Sequence, residues 1–133
     1  MPKPHPVVDE LSRPFWEAAR AGKLLLQRCV SCGEHQFYPR PFCLACSGSD
    51  LEWIPATGKG SLRTFSIVQR TADPAFADDV PYVFAVVELS EGPHLTVNVL
   101  DTPAERLRCD MPVRIVFTDL DADVAVPNAR GDD

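Results

Sequence analysis

Four cysteines at two matched spacings are where this sequence could do chemistry. Cys29-Val30-Ser31-Cys32-Gly33 is followed, ten residues later, by Cys43-Leu44-Ala45-Cys46. A C-x-x-C turn aims two sulfurs at one point, and the backbone amides behind them stabilise thiolate charge. Two such turns facing each other supply four soft ligands in a tetrahedron, the arrangement of a structural Zn²⁺ with Zn–S bonds of about 2.3 Å. Gly33, directly after the first pair, suits a turn that needs positive φ. Two disulfides would need an oxidising compartment. Residues 1–10 lack the basic and apolar regions of a signal peptide, which points to a soluble, cytoplasmic protein. Four unrelated buried thiols and iron in an S₄ site are the remaining rivals, and the paired spacing favours zinc. With four protein sulfurs as ligands the shell is closed, so the expected ion is structural rather than catalytic.

Nothing else in the chain reads as a reactive constellation. His5, His35 and His94 are scattered, and Ser31 and Ser47 fall within the cysteine turns, so no nucleophile stands beside a base. Cys109 lies outside the paired spacing with no His or Lys near it in sequence; it reads as a small buried hydrophobe.

The elements that must hold the sulfurs are short. Ser12, Pro14 and Gly22 mark the start and stop of a helix, with Leu11, Phe15, Trp16 and Ala19 on one apolar face. Lys23–Arg28 reads as a strand entering the first turn, and Phe37-Tyr38-Pro39-Arg40-Pro41 leads into the second. Trp53 is expected to pack against the cysteine turns. Arg28 and Arg40 flank a site of net charge −2, and Arg40, held between two prolines, is also placed to meet an anion. Residues 1–6, with three prolines, read as a mobile tail carrying an exposed His5.

After Thr57-Gly58-Lys59-Gly60 the pattern changes to strands: Gly60–Thr71, Tyr82–Ser90, His94–Leu100, Pro112–Asp119 and Asp123–Val126, with Asn128–Asp133 expected to fray. Leu62 lies on one face of the first run and Phe65 and Ile67 on the other, which predicts a β-bulge near Arg63–Thr64. A long, bulged first strand serving both halves of a small barrel is the device of a five-stranded OB-fold. Val83, Ala85, Val87, Leu89, Leu95, Val97, Val99, Val113, Ile115 and Phe117 are the expected core. The other face of the second strand, with Tyr82, Phe84 and Val86, is apolar for a solvent side. The acidic loop Ala72–Pro81 carries Phe76 and belongs at the barrel mouth. The fold class is therefore mainly β: a helix and ribbon over residues 1–56, then a barrel over 57–133.

The 133 residues fit one domain with a small appendage, and no run approaches the roughly 20 apolar residues of a membrane span. Residues 1–70 hold nine Lys/Arg against six Asp/Glu, a balance of +3. Residues 71–133 hold four against thirteen, a balance of −9. Four thiolates on Zn²⁺ add a further −2. Most of this surface repels a phosphate-rich polymer, so nucleic acid is disfavoured as a partner.

Together these motifs resemble a family that joins an N-terminal rubredoxin-like zinc ribbon to an OB-fold, the domain of unknown function of type thirty-five. The likeness runs in order over Phe15–Asp119: Phe15-Trp16, C-x-x-C-G, Phe37-Tyr38-Pro39-Arg40, the second C-x-x-C, GKGSLRTFSIV from Gly58, VPYVFAVVEL from Val80 and MPVRIVF from Met111. Asp110 stands where the family tends to have glycine, and Asp tolerates the positive φ such a turn needs. The resemblance implies a small, non-catalytic subunit of a thiolase-superfamily enzyme, a thiolase or an acyl-CoA aldolase such as those of steroid side chains. A thiolase-like or lipid-transfer-protein-like chain would supply the catalytic residues. On that reading Phe15, Trp16, Phe37, Tyr38, Tyr82 and Phe84 meet the partner, and Arg40, Arg63 and Arg70 meet the phosphates of an acyl-CoA. The alternative is a single-stranded nucleic-acid binder, since OB-folds and zinc ribbons both serve that purpose.

Overall fold

The computed structural model describes residues 6–121 and 123–132. The expected tail with His5 lies outside them, apart from Pro6. Helix α1 spans Arg13–Arg20, with Pro14 in its first turn, where the missing N–H leaves no hydrogen bond unmade. Ser12 precedes it, but its hydroxyl does not cap the helix: it donates to Asp9 Oδ1 at 2.6 Å, forming a separate turn. Gly22, at φ 76°, ends the element and turns the chain into the ribbon.

The ribbon is a three-stranded antiparallel sheet in the order β2–β1–β3, with β1 Leu25–Cys29, β2 His35–Gln36 and β3 Leu51–Pro55. Strand β1 is central. It pairs Gln27 with Gln36 on one side and with Trp53 on the other. Trp53 packs on the main apolar core rather than on the cysteine turns as expected. The reason is direction: β3 runs away from the sulfurs toward the barrel, and Ala56 N–H donates to Leu24 at 2.9 Å just past its end.

Five strands close the barrel: β4 Lys59–Val68, β5 Tyr82–Leu89, β6 His94–Leu100, β7 Pro112–Asp119 and β8 Ala125–Gly131. Their order is β4–β5–β6–β8–β7, and β7 returns to β4. Strand β4 is the one that serves both halves. Gly60 pairs with Leu89 of β5 and with Val113 of β7, and the register slips between Leu62 and Thr64, the expected bulge. The extra residue, Arg63, lets Leu62 point into the core while the strand bends around the barrel. β6 and β8 run parallel through Val99↔Ala129 and Leu100↔Arg130, the one parallel pair of this strand order. Leu62, Val87, Leu95, Met111 and Val113 fill the interior. Phe15, Leu24 and Leu26 join the same apolar cluster, so helix and ribbon sit on the barrel's core rather than hanging from it.

Two expectations fail at the end of the chain. The last strand is Ala125–Gly131, not Asp123–Val126, and residues expected to fray are paired. Asn128 Oδ1 accepts from Asn98 N–H at 3.3 Å, Asn128 Nδ2 donates to Thr118 at 2.9 Å, and Gly131 N–H donates to Thr102 Oγ1 at 3.0 Å. AVPNARG has no alternation to read; its order comes from two neighbouring strands that would otherwise present open edges. Cys109 is exposed rather than buried. It lies in the turn before β7, where Asp110 takes φ 68°, as its place at a glycine position foreshadowed, and Met111 fills the interior instead. No helix among the described residues is long and apolar enough to cross a membrane.

Candidate functional site

The two cysteine turns are built alike. Gly33 N–H donates to Cys29 O and Ser47 N–H to Cys43 O, each at 2.8 Å, which closes each loop behind its sulfurs. Gly33 takes φ 80°, and Ser47 takes the equivalent left-handed place at φ 64°. Amides face the sulfurs: Ala45 N–H lies 3.3 Å from Cys43 Sγ and Gly48 N–H 3.4 Å from Cys46 Sγ. Gly48 sits close to the sulfurs: a Cβ there would stand 3.2 Å from Cys46 Sγ, which would have to give by a few tenths of an ångström.

All four sulfurs lie within 4.8 Å of one another, with Cys29–Cys46 and Cys32–Cys43 at 3.6 Å. A tetrahedron with bonds of about 2.3 Å has edges of about 3.8 Å, so the quartet fits a single four-coordinate ion. Cys29 and Cys43 are buried and Cys32 and Cys46 face outward. Without an ion the thiols cannot all ionise together. The Cys32 amide, against burial, brings Cys29 down to about 7. Cys32 is pushed up to about 12: the Glu34 amide pulls it down, and burial and the neighbouring sulfurs outweigh that pull. A cation removes this conflict by stabilising four thiolates at once. The four cysteines are placed so that they could hold one metal ion.

The residue that ties this site to the Phe37–Pro41 segment is one the sequence reading missed. Gln27 is buried in β1, and its side chain brackets Arg40: Oε1 accepts from Arg40 N–H at 2.9 Å and Nε2 donates to Arg40 O at 3.0 Å. Gln36 Nε2 donates to the same Oε1 at 2.7 Å, and Leu44 N–H donates to Gln36 Oε1 at 3.2 Å, which carries the network into the second cysteine turn. The available signal was a lone polar residue in the apolar run LLLQ. Gln27→Leu should leave the Arg40 amide and carbonyl unpaired and cost about 1–3 kcal/mol. Faster hydrogen exchange at Arg40, with barrel amides unchanged, is the expected readout.

The other residues singled out from the sequence separate into groups. Phe15 is only 4% exposed and is a core residue, so it supports the surface from beneath instead of touching a partner. Its ring stacks edge-on with Trp16 (4.9 Å) and Phe37 (5.3 Å), and Phe37 with Tyr38 (4.8 Å), bringing helix and ribbon aromatics into one cluster. Trp16 and Phe37 are half-buried, and Tyr38 is 53% exposed at the outer end. Arg40 is exposed, while Arg28 pairs with Glu52 at 2.8 Å. On the barrel, Phe84 is 45% exposed on β5. Arg63 is exposed at the bulge, 4.0 Å from Glu88, and Arg70 is exposed just beyond β4.

Tyr82 belongs elsewhere. It lines an open cleft of about 920 Å³ at the barrel mouth, together with Phe76 of the acidic loop. Asp73 Oδ1 shapes that loop by accepting from Ala75 N–H at 2.9 Å at the start of a short turn over Pro74–Phe76. Asp79, Asp101 and Asp119 also line the cleft, and among the described residues its wall holds no Lys or Arg. Carboxylates at such a mouth repel a phosphate backbone.

Comparison with known proteins adds the following. Residues 16–52 match the family model "ChsH2, rubredoxin-like zinc ribbon domain", and residues 53–118 match "ChsH2, C-terminal OB-fold domain". A Thermomonospora curvata protein named "Probable enoyl-CoA hydratase alpha subunit" is 30% identical over 128 residues, 96% of this chain but 40% of its own length. This chain thus spans less than half of that relative. A "DUF35 domain-containing scaffold protein" of Methanothermobacter thermautotrophicus is 33% identical over 112 residues, 84% of each chain. Among solved structures, a chain of the "Ltp2-ChsH2(DUF35) aldolase" superposes with a TM-score of 0.84 at 29% identity, covering 96% of this chain and 98% of that one.

Proposed function

This chain belongs to the ChsH2 family of zinc-ribbon and OB-fold proteins, the DUF35 group, and from that premise we propose that it is the non-catalytic accessory subunit of an acyl-CoA enzyme of the thiolase or aldolase type. The observation that carries the reading is the near end-to-end superposition on a chain of the "Ltp2-ChsH2(DUF35) aldolase". It is supported by the closed S₄ shell, which offers no position for substrate, and by the scattered histidines. Zinc is the ion the site is built for, holding the ribbon in shape while a thiolase-like or lipid-transfer-protein-like chain supplies the reacting groups. Trp16, Phe37, Tyr38 and Phe84 are the partner-facing aromatics. Arg40, Arg63 and Arg70 are the donors available to the phosphates of an acyl-CoA thioester.

Co-expression with the thiolase-fold chain of its native host should yield a stable complex with thioester activity, while the isolated chain turns over no acyl-CoA. Steady turnover by the isolated chain, abolished by a point substitution, would overturn the reading. Tyr38→Ala with Phe84→Glu should weaken the complex by about 30-fold or more, the loss of roughly 2 kcal/mol typical of aromatic anchors. Titration calorimetry gives the affinity, and an unchanged melting temperature of the isolated chain shows that the fold is intact.

A further inference from the structure

The cleft at the barrel mouth has a lining that the accessory role does not by itself explain. Ile67, Phe76 and Leu120 give its lining an apolar part beside Asn98, Thr118 and Asn128, and the lining also carries Asp101 and Asp119. Asp101 and Asp119 are exposed, and Ile67 leaves 39% of its surface in water at the end of β4. This end of the barrel belongs to the half of the chain with thirteen acids and four bases. The apolar patch and the two carboxylates together select against a CoA nucleotide, whose phosphates the carboxylates repel, and against a plain acyl chain, which makes no use of them. They complement a ligand that is both apolar and cationic. We infer that the mouth docks a peptide segment in which apolar side chains alternate with Arg or Lys. On the accessory-subunit reading, on which this rests, that segment comes from the catalytic partner. The apolar side chains cover Ile67 and Phe76, and the cations meet Asp101 and Asp119.

The test uses the full chain and three fluorescein-labelled heptapeptides alternating leucine with arginine, glutamine or glutamate. The arginine peptide should bind, weaken as salt rises, and lose at least tenfold in affinity to the variant D101N/D119N and separately to I67S. Asn is the chosen replacement because Asp101 sits at φ 52°, a conformation Asn tolerates. Equal binding of the glutamine peptide, or an arginine peptide indifferent to both variants, would overturn the inference, as would displacement of the peptide by octanoyl-CoA or by a thymidine oligonucleotide. A second arm places the photo-crosslinker p-benzoylphenylalanine at Phe76 in the co-expressed complex. The cross-linked partner segment should contain Arg or Lys. A segment without them sinks the inference while leaving the accessory role intact. If no catalytic chain co-purifies at all, the accessory role fails, and the peptide titrations still decide what the cleft accepts.

Discussion

Cys43→Ser should strip the metal from the protein and unfold the ribbon. Cys43 is buried and 3.6 Å from Cys32 Sγ, so a serine leaves three sulfurs and a poor fourth ligand. Structural zinc contributes apparent binding free energies of about 10–16 kcal/mol, as large as a whole domain's net stability. The ribbon has little else: a two-residue β2, a five-residue β1 and a five-residue β3. Elemental analysis should fall from about one zinc per chain to none. Amide signals of residues 25–55 should collapse, while the barrel strands, from Lys59 on, retain their signals at reduced stability. The barrel is not expected to escape unharmed, because Leu24 and Leu26 contribute to its core. Full zinc occupancy in this variant would refute the four-sulfur site. Acid acts in the same direction, since the ligands are thiolates and protonation competes with the ion.

The second large effect is expected at Gly60→Val. A Cβ at Gly60 would stand 2.5 Å from Glu88 O and 3.0 Å from Val87 Cγ1. The first contact is with backbone, which cannot swing aside as the end of a side chain could. Gly60 is also where β4 is held on both sides, by Leu89 and by Val113, so neither neighbour is free to retreat. Overpacking at such a point costs about 3 kcal/mol or more, and valine adds bulk beyond the Cβ. A fall of roughly 10 °C or more in the melting temperature is expected, with metal content unchanged. Gly22→Val is the control: a Cβ there meets nothing within 4 Å, and only the φ of 76° resists it. If both variants lose equal stability, the close approach of strands at Gly60 is not what the glycine provides.

These two sites differ in how openly the sequence displayed them. The metal site was legible because its chemistry is local. Each C-x-x-C turn aims its own two sulfurs, and Gly33 supplies the positive φ within the same five residues. Strand β4 was legible through its parity slip, because a bulge is the only way Leu62 and Phe65 can both turn toward apolar surroundings. The match of β5, β6 and β7 to their expected cores rests on the same period of two.

Gln27, Cys109 and β8 were not legible in this way. A glutamine in an apolar run shows that something polar is buried, but its partner at Arg40 is thirteen residues away across a sheet. Whether Cys109 or Met111 faces the interior depends on the turn at Asp110. The strand AVPNARG exists because β6 and β7 need an edge covered, and its own residues have little strand preference.

Residue types and spacings therefore determined the ligand set, the ribbon-then-barrel order and the bulge, since each follows from contacts within a few residues or from a side-chain period. Tertiary structure alone decided that Phe15 is core, that Gln27 clasps Arg40 and that residues 125–131 form a paired strand. Those outcomes depend on which distant segments meet, and the local sequence of one partner does not name the other.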